Sequence, residues 1–154
     1  LLEEQFKTVG AVPVPMAFSE VYTALENRVT DGGENTASNI LSKKFYEVQK
    51  YMTISNHGYL GYAVVTNAQF WESLPPDIRR ILEQAMAETT AWVRENAARI
   101  NAEDLEKIKA TQKVQIHVQA ESERRAWMQT MDPVYDKFEA EIGTDLIDAV
   151  RALR

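Results

Sequence analysis

The chain has 154 residues, 45% of them hydrophobic and 26% charged, the balance of an ordinary globular domain long enough to bury an apolar core without covalent staples. It contains no cysteine, which excludes thiol catalysis, iron–sulfur ligation and Cys-based zinc sites and leaves the compartment open. With 17 basic residues against 23 acidic ones the net charge is −6, and the bases are scattered, so a nucleic-acid surface is not expected.

No apolar run approaches the about 20 residues of a membrane span, and the N-terminus lacks the order of a signal peptide. Leu2, Phe6 and Val9 fall close to helical spacing, yet no Ser, Thr, Asp or Asn precedes them as a cap. A first helix entered part-way along is expected, as in a mature or excised piece of something longer. Residues 9–15 read as a strand, confined to an edge or to its own end because Pro13 and Pro15 carry no N–H. A helix follows, with Phe18, Val21, Tyr22 and Leu25 on one face, Ser19 in its early turn and Glu20 near the positive end of its dipole. Thr30-Asp31-Gly32-Gly33 breaks it, and Glu34-Asn35 leads into a second helix carrying Ile40, Leu41, Phe45 and Val48.

From Lys50 the pattern suits extended chain, with strands expected over 51–56 and 59–66. Residues 67–74 read as a short helix. Pro75-Pro76-Asp77 then starts a helix that meets neither Gly nor Pro before Thr111. About 33 residues at 1.5 Å each make about 50 Å, longer than a compact domain of this size is wide, so this helix is expected to bridge two bodies. A strand over 114–118 precedes a helix over 121–142 that carries Trp127, Met131, Val134, Tyr135 and Phe138 towards a core despite Pro133. Leu146, Ile147, Val150 and Leu153 mark one more amphipathic helix. The fold class is α/β, with short strands, a long helix and a helical C-terminal segment.

His57 and His117 stand in no metal-ligand spacing, so neither a metal nor a cofactor is expected. His57 lies between Asn56 and Gly58 with Tyr59 and Tyr62 just beyond, at a junction where polar and aromatic groups can converge on a pocket, although a purely structural histidine fits as well. Gly32-Gly33 matches no phosphate-binding pattern, and no G-x-S-x-G elbow is present. Glu20, Asp31 and Glu34 offer carboxylates for acid/base work, or are simply solvated. Trp71, Trp92 and Trp127 sit on amphipathic stretches as core or interface anchors.

The blocks from Pro15 through Met16-Ala17-Phe18-Ser19-Glu20-Val21-Tyr22 to Leu25, Asp31-Gly32-Gly33-Glu34-Asn35, Lys44-Phe45-Tyr46-Glu47-Val48-Gln49-Lys50, Thr53-Ile54-Ser55-Asn56-His57-Gly58-Tyr59 and Phe70-Trp71-Glu72-Ser73-Leu74-Pro75-Pro76 resemble the substrate-binding proteins of TRAP transporters, the DctP-type family. The resemblance covers nearly the whole chain; after Gln112 it holds only in the pattern of elements. It implies a non-enzymatic, periplasmic receptor with a two-lobed fold about twice as long, of which this chain is the C-terminal half. Residues 1–74 then belong to the second ligand-binding lobe, 75–111 form a lobe-spanning helix, and 112–154 pack across the lobes. In relatives an arginine upstream of the segment matching Leu1 grips the ligand carboxylate, and no residue here stands in for it.

Carried over by position, the resemblance makes Asn35 the carboxylate-binding amide and Phe18 the aromatic lining of the cleft. His57, Glu20 and Glu34 become a polar network that couples ligand binding to closure, with Tyr59 beside them. Two departures stand out: relatives usually read Asp-Gly-Gln-Glu-Asn-Pro, where this chain has Gly33 and Thr36. The implied partners are a small organic acid, dicarboxylate by preference, and the membrane permease subunits, and a homodimer or swapped assembly is expected of the isolated half. The alternatives are a hydrolase or lyase using Glu34 and His57 as acid/base couple, and a ligand-sensing module.

Overall fold

In the computed structural model, which describes residues 1–152, the elements run in the order α1 (Leu2–Thr8), α2 (Val21–Glu26), α3 (Ala37–Ser42), β1 (Tyr51–Ile54), α4 (Ala68–Ser73), α5 (Pro76–Ala110), β2 (Gln115–Val118), α6 (Glu121–Thr130), α7 (Asp132–Ile142) and α8 (Thr144–Arg151). Short 3₁₀ turns at Phe18–Glu20 and Phe45–Glu47 lead into and out of the early helices. The chain divides into two units. The first holds Leu1–Gly33, Tyr51–Gly58 and the segment beginning at Gln115; the second holds Glu34–Lys50 and Tyr59–Val114.

In the first unit, β1 and β2 pair in parallel, with Tyr51 opposite Gln115 and Ile54 opposite Val118. Alternate residues turn inward along β1, leaving Met52 and Ile54 half-buried and Tyr51 and Thr53 exposed, as a half-buried strand requires. The core of this unit comes from Ala24 and Leu25 of α2, Met131 before α7, Val134 of α7 and Ile147 of α8. Surface ion pairs join the helices: Glu4 of α1 meets Lys137 of α7 at 2.7 Å, and Arg151 of α8 meets Asp136 of α7 at 3.1 Å. Exposed pairs of this kind contribute little to stability.

The start of α6 carries a pH-sensitive cap. Ala120 offers no side-chain acceptor, so only the reciprocal arm of a capping box forms: the Ala120 N–H donates to Glu123 Oε2 at 2.6 Å. His117 Nε2 lies 3.1 Å from the same oxygen. The Ala120 N–H is the main cause holding the Glu123 carboxyl below its ordinary range; burial opposes it and His117 adds to it. A carboxylate whose folded value is depressed stabilises above its unfolded value and loses that contribution as pH falls through the folded one. Glu123→Gln should therefore lower the melting temperature at neutral pH, and the difference from wild type should vanish below the carboxylate range. A difference independent of pH would refute the cap.

In the second unit, α3 packs on α5, fastened by the Ser38 N–H donating to Asn101 Oδ1 at 3.1 Å. The long helix forms as the sequence predicts, 35 residues and about 52 Å long. Pro76 sits in its first turn, where the missing N–H is no loss, Asp77 faces the positive end of the dipole, and Lys107 and Lys109 face the negative end. Asn67 caps α4 by accepting the Phe70 N–H at 3.0 Å.

Several expectations fail for identifiable reasons. Residues 9–15 form no strand: Pro13 and Pro15 have no donor, and no ladder partner exists among the described residues. Residues 59–66 likewise form no strand, with no ladder partner among the described residues. The second helix stops at Ser42, because Lys44 is left-handed (φ 57°) and turns the chain into a 3₁₀ turn. The expected helix over 121–142 is two helices, with Pro133 in the first turn of α7 instead of inside a longer helix. The apolar stripe of α5 is buried only towards its end: Ile78, Ile81, Trp92 and Val93 are exposed, while Ile108 is fully buried. Leu153, placed on the last helix, lies outside the described residues.

Candidate functional site

The second unit builds a set of amide and hydroxyl donors around the start of α3. Thr36 precedes the helix with extended backbone, and its hydroxyl accepts the Asn39 N–H. The Thr36 N–H donates to Asn35 Oδ1 at 3.0 Å, and Asn39 Nδ2 donates to the same oxygen. Two N–H donors on one atom settle which end of the Asn35 amide is oxygen, since a flipped amide would set donor against donor. Asn35 Nδ2 is left with no hydrogen-bond partner among the described residues. A neutral donor held this way suits an anionic ligand group, because it adds no buried charge of its own.

Asn39 also reaches Tyr62, whose hydroxyl oxygen accepts from Nδ2 at 3.3 Å. With its oxygen occupied as acceptor, the 81% exposed Tyr62 can turn its O–H proton outward. Asn39 thus connects two donors, the Asn35 amide and the Tyr62 hydroxyl. The Thr36 backbone matters here as well, since a proline in its place would have no N–H to give Asn35.

The first unit has a cavity of about 280 Å³ whose lining includes Gln5, Phe6, Asn56, His57, Arg124 and Trp127. The His57 ring is half-buried, edge-on to Phe6 at 5.4 Å and tilted against Trp127 at 6.3 Å. Its Nδ1 lies 2.7 Å from Ser55 Oγ. Arg124 contributes a cation with no ion-pair partner among the described residues.

Of the six residues expected at the site, Phe18, Glu20 and His57 fall in the first unit and Glu34, Asn35 and Tyr59 in the second. Phe18 and Glu20 bound the 3₁₀ turn before α2, both exposed, and neither lines the His57 cavity. Glu34 is exposed beside half-buried Asn35, and Tyr59 is 95% exposed. Sequence reasoning missed Asn39 and left Tyr62 without a role. The one available signal was the i, i+4 spacing of Asn35 and Asn39, which puts two amides on one side of a helix start. Among the described residues, no helix is long and apolar enough to cross a membrane.

The family described as bacterial extracellular solute-binding protein, family 7 (DctP), matches residues 1–141. The chain belongs to this family. Within family 7 it is 48% identical over its full length to the C4-dicarboxylate-binding protein DctB of Bacillus subtilis strain 168, covering 44% of that protein. It is 47% identical, over 99% of its length, to the C4-dicarboxylate-binding periplasmic protein DctP of Rhodobacter capsulatus, covering 46% of it. A solved TRAP periplasmic solute-binding protein from Shewanella oneidensis, with bound succinate, matches with a TM-score of 0.93 and 46% identity over 98% of this chain and 50% of that one. The chain spans about half the length of the curated relatives it matches. Its fold is accordingly the α/β half of the two-lobed family 7 architecture.

Proposed function

We propose that this chain supplies one side of the ligand cleft of a periplasmic TRAP-type receptor for a small organic acid, a C4-dicarboxylate by class. The receptor is non-enzymatic and hands its ligand to a membrane permease. The observation that carries the reading is the Asn35 amide, its oxygen fixed by two donors and its Nδ2 left available. Tyr62, linked through Asn39, supplies a second donor for the same ligand group or for its other carboxylate. The names of the similar proteins from Bacillus subtilis and Rhodobacter capsulatus support the ligand class, as does the succinate in the Shewanella structure.

In this reading Phe18 lines the cleft, and Glu20, Glu34, His57 and Tyr59 form the polar surround that responds to closure. Donors from both lobes hold the ligand, and the closed form is the one that docks. An acid/base couple of Glu34 and His57 has no support among the similar proteins, which are named for binding.

Thermal unfolding against a panel of succinate, malate, fumarate, pyruvate and an aromatic acid tests the proposal. Ligand at 100 times its dissociation constant adds about 2.7 kcal/mol, which is roughly 5–11 °C at about 2–4 °C per kcal/mol for this size. The expected outcome is a shift with one or more C4-dicarboxylates and none with pyruvate. The same panel run on the chain joined to the remaining half of the Bacillus subtilis relative supplies the contacts of the other lobe. No shift in either form overturns the receptor reading.

A further inference from the structure

We propose that Ser55 is a positioning residue for His57, holding the imidazole in a single orientation in both of its charge states. The role in ligand response rests on the receptor reading above; the geometry does not. β1 ends at Ile54, and Asn56 takes a left-handed conformation (φ 47°), which asparagine tolerates better than most residues. Across this residue the hydroxyl of Ser55 meets Nδ1 of His57 at 2.7 Å. Ser55 has no other side-chain hydrogen bond among the described residues.

In this proposal the bond is assigned a direction in each charge state of the ring. With the neutral ring's proton on Nε2, Nδ1 presents a lone pair to which the Ser55 hydroxyl donates. On protonation Nδ1 becomes an N–H, and the hydroxyl turns to accept it through an oxygen lone pair. A hydroxyl can donate and accept from the same atom, whereas an amide splits these roles between two atoms and a carboxylate only accepts. Ser55 can therefore keep the ring against Phe6 and Trp127 while its charge changes.

Among the described residues that line the cavity, two besides His57 are charged or titratable. Arg124 comes from α6 and Tyr135 from α7; α1 contributes Gln5 and Phe6, and α8 contributes Val150. Arg124 and His57 line the same cavity, so a ring held in place by Ser55 keeps the shape of that lining.

Nitrogen-15 spectra of the imidazole, recorded above and below its titration in the wild type, Ser55→Ala and Ser55→Thr, test the inference. In the wild type a single neutral tautomer with its proton on Nε2, a hydrogen-bonded Nδ1, and through-space contacts to Phe6 and Trp127 at both pH values are expected. Ser55→Ala should show both tautomers and weakened contacts, and Ser55→Thr should restore the wild-type pattern. An Nδ1 shift of a free nitrogen in the wild type, which needs no variant to fold, overturns the proposal; so does a Ser55→Ala spectrum identical to wild type. Organic-acid affinity measured on the same three proteins separates the two readings. If no acid binds any of them while the tautomer follows the hydroxyl, the receptor reading fails and the positioning of His57 stands.

Discussion

Asn35→Asp should weaken binding of the organic acid by a factor on the order of 100 or more, and Asn35→Ala by about 10–100-fold. The aspartate is nearly isosteric, and one of its oxygens still accepts from the Thr36 N–H and from Asn39 Nδ2, so the local fold survives. What changes is the second atom, from an N–H₂ donor to an oxygen carrying negative charge. Losing a hydrogen bond to a charged group costs about 1.5–3 kcal/mol. Repulsion between two carboxylates about 4 Å apart adds between about 1 and 4 kcal/mol as the effective dielectric falls from that of water to that near a protein surface. Alanine removes the donor without adding the charge, hence the order Asn, Ala, Asp. Calorimetric titration with a C4-dicarboxylate reads the order directly. If Ala and Asp weaken binding equally, Asn35 shapes the loop and does not touch the ligand.

The elements legible in the sequence are those whose cause is local. The long helix was readable because a helix needs only the absence of breakers and a continuous pattern, and residues 77–111 contain neither Gly nor Pro. The short helix over 67–74 was readable as a local element, and the structure adds its cap, Asn67, which accepts the Phe70 N–H three residues on. Strands differ, since their hydrogen bonds lie on another segment. The strands expected over 51–56 and 59–66 look alike in their β-favouring residues, yet only residues 51–54 find a partner, β2, among the described residues. The left-handed Lys44 left no trace in the pattern either, because Ile40, Leu41, Phe45 and Val48 keep helical spacing across it.

The site followed the same division. Asn35 entered through the family resemblance, but which atom of its amide faces outward depends on two bonds, one from the Thr36 N–H and one from Asn39. The first is a backbone donor that no residue-type argument would single out. Tyr62 joins from 23 residues further along the chain than Asn39, a separation that local periodicity cannot bridge. His57 was legible as a polar group at a turn; its hold by Ser55 was available in the Ser55-Asn56-His57 order but only becomes specific once the backbone at Asn56 is left-handed.

Ile108→Ala should cost about 2–5 kcal/mol, the range for deleting buried aliphatic volume, whereas Ile81→Ala should change stability by no more than about 0.5 kcal/mol. Both residues lie on the apolar stripe of α5, but Ile108 is 0% exposed and Ile81 59% exposed. The helix is therefore anchored in its last third, where Ile100 and Leu105 are half-buried beside it. The same third holds Asn101, which accepts the Ser38 N–H of α3, and α3 in turn carries Asn39. A loss of about 3 kcal/mol would lower Tm by roughly 6–12 °C at this chain length, a large share of the about 5–15 kcal/mol available to a domain. Ile108→Val, expected to cost about 0.5–1.5 kcal/mol, serves as the control: it should leave organic-acid affinity intact, whereas Ile108→Ala should weaken it as α3 loses its support. Equal melting temperatures for Ile81→Ala and Ile108→Ala would mean that α5 is held along its whole length, and the link from its end to the Asn35 amide would fall with that result.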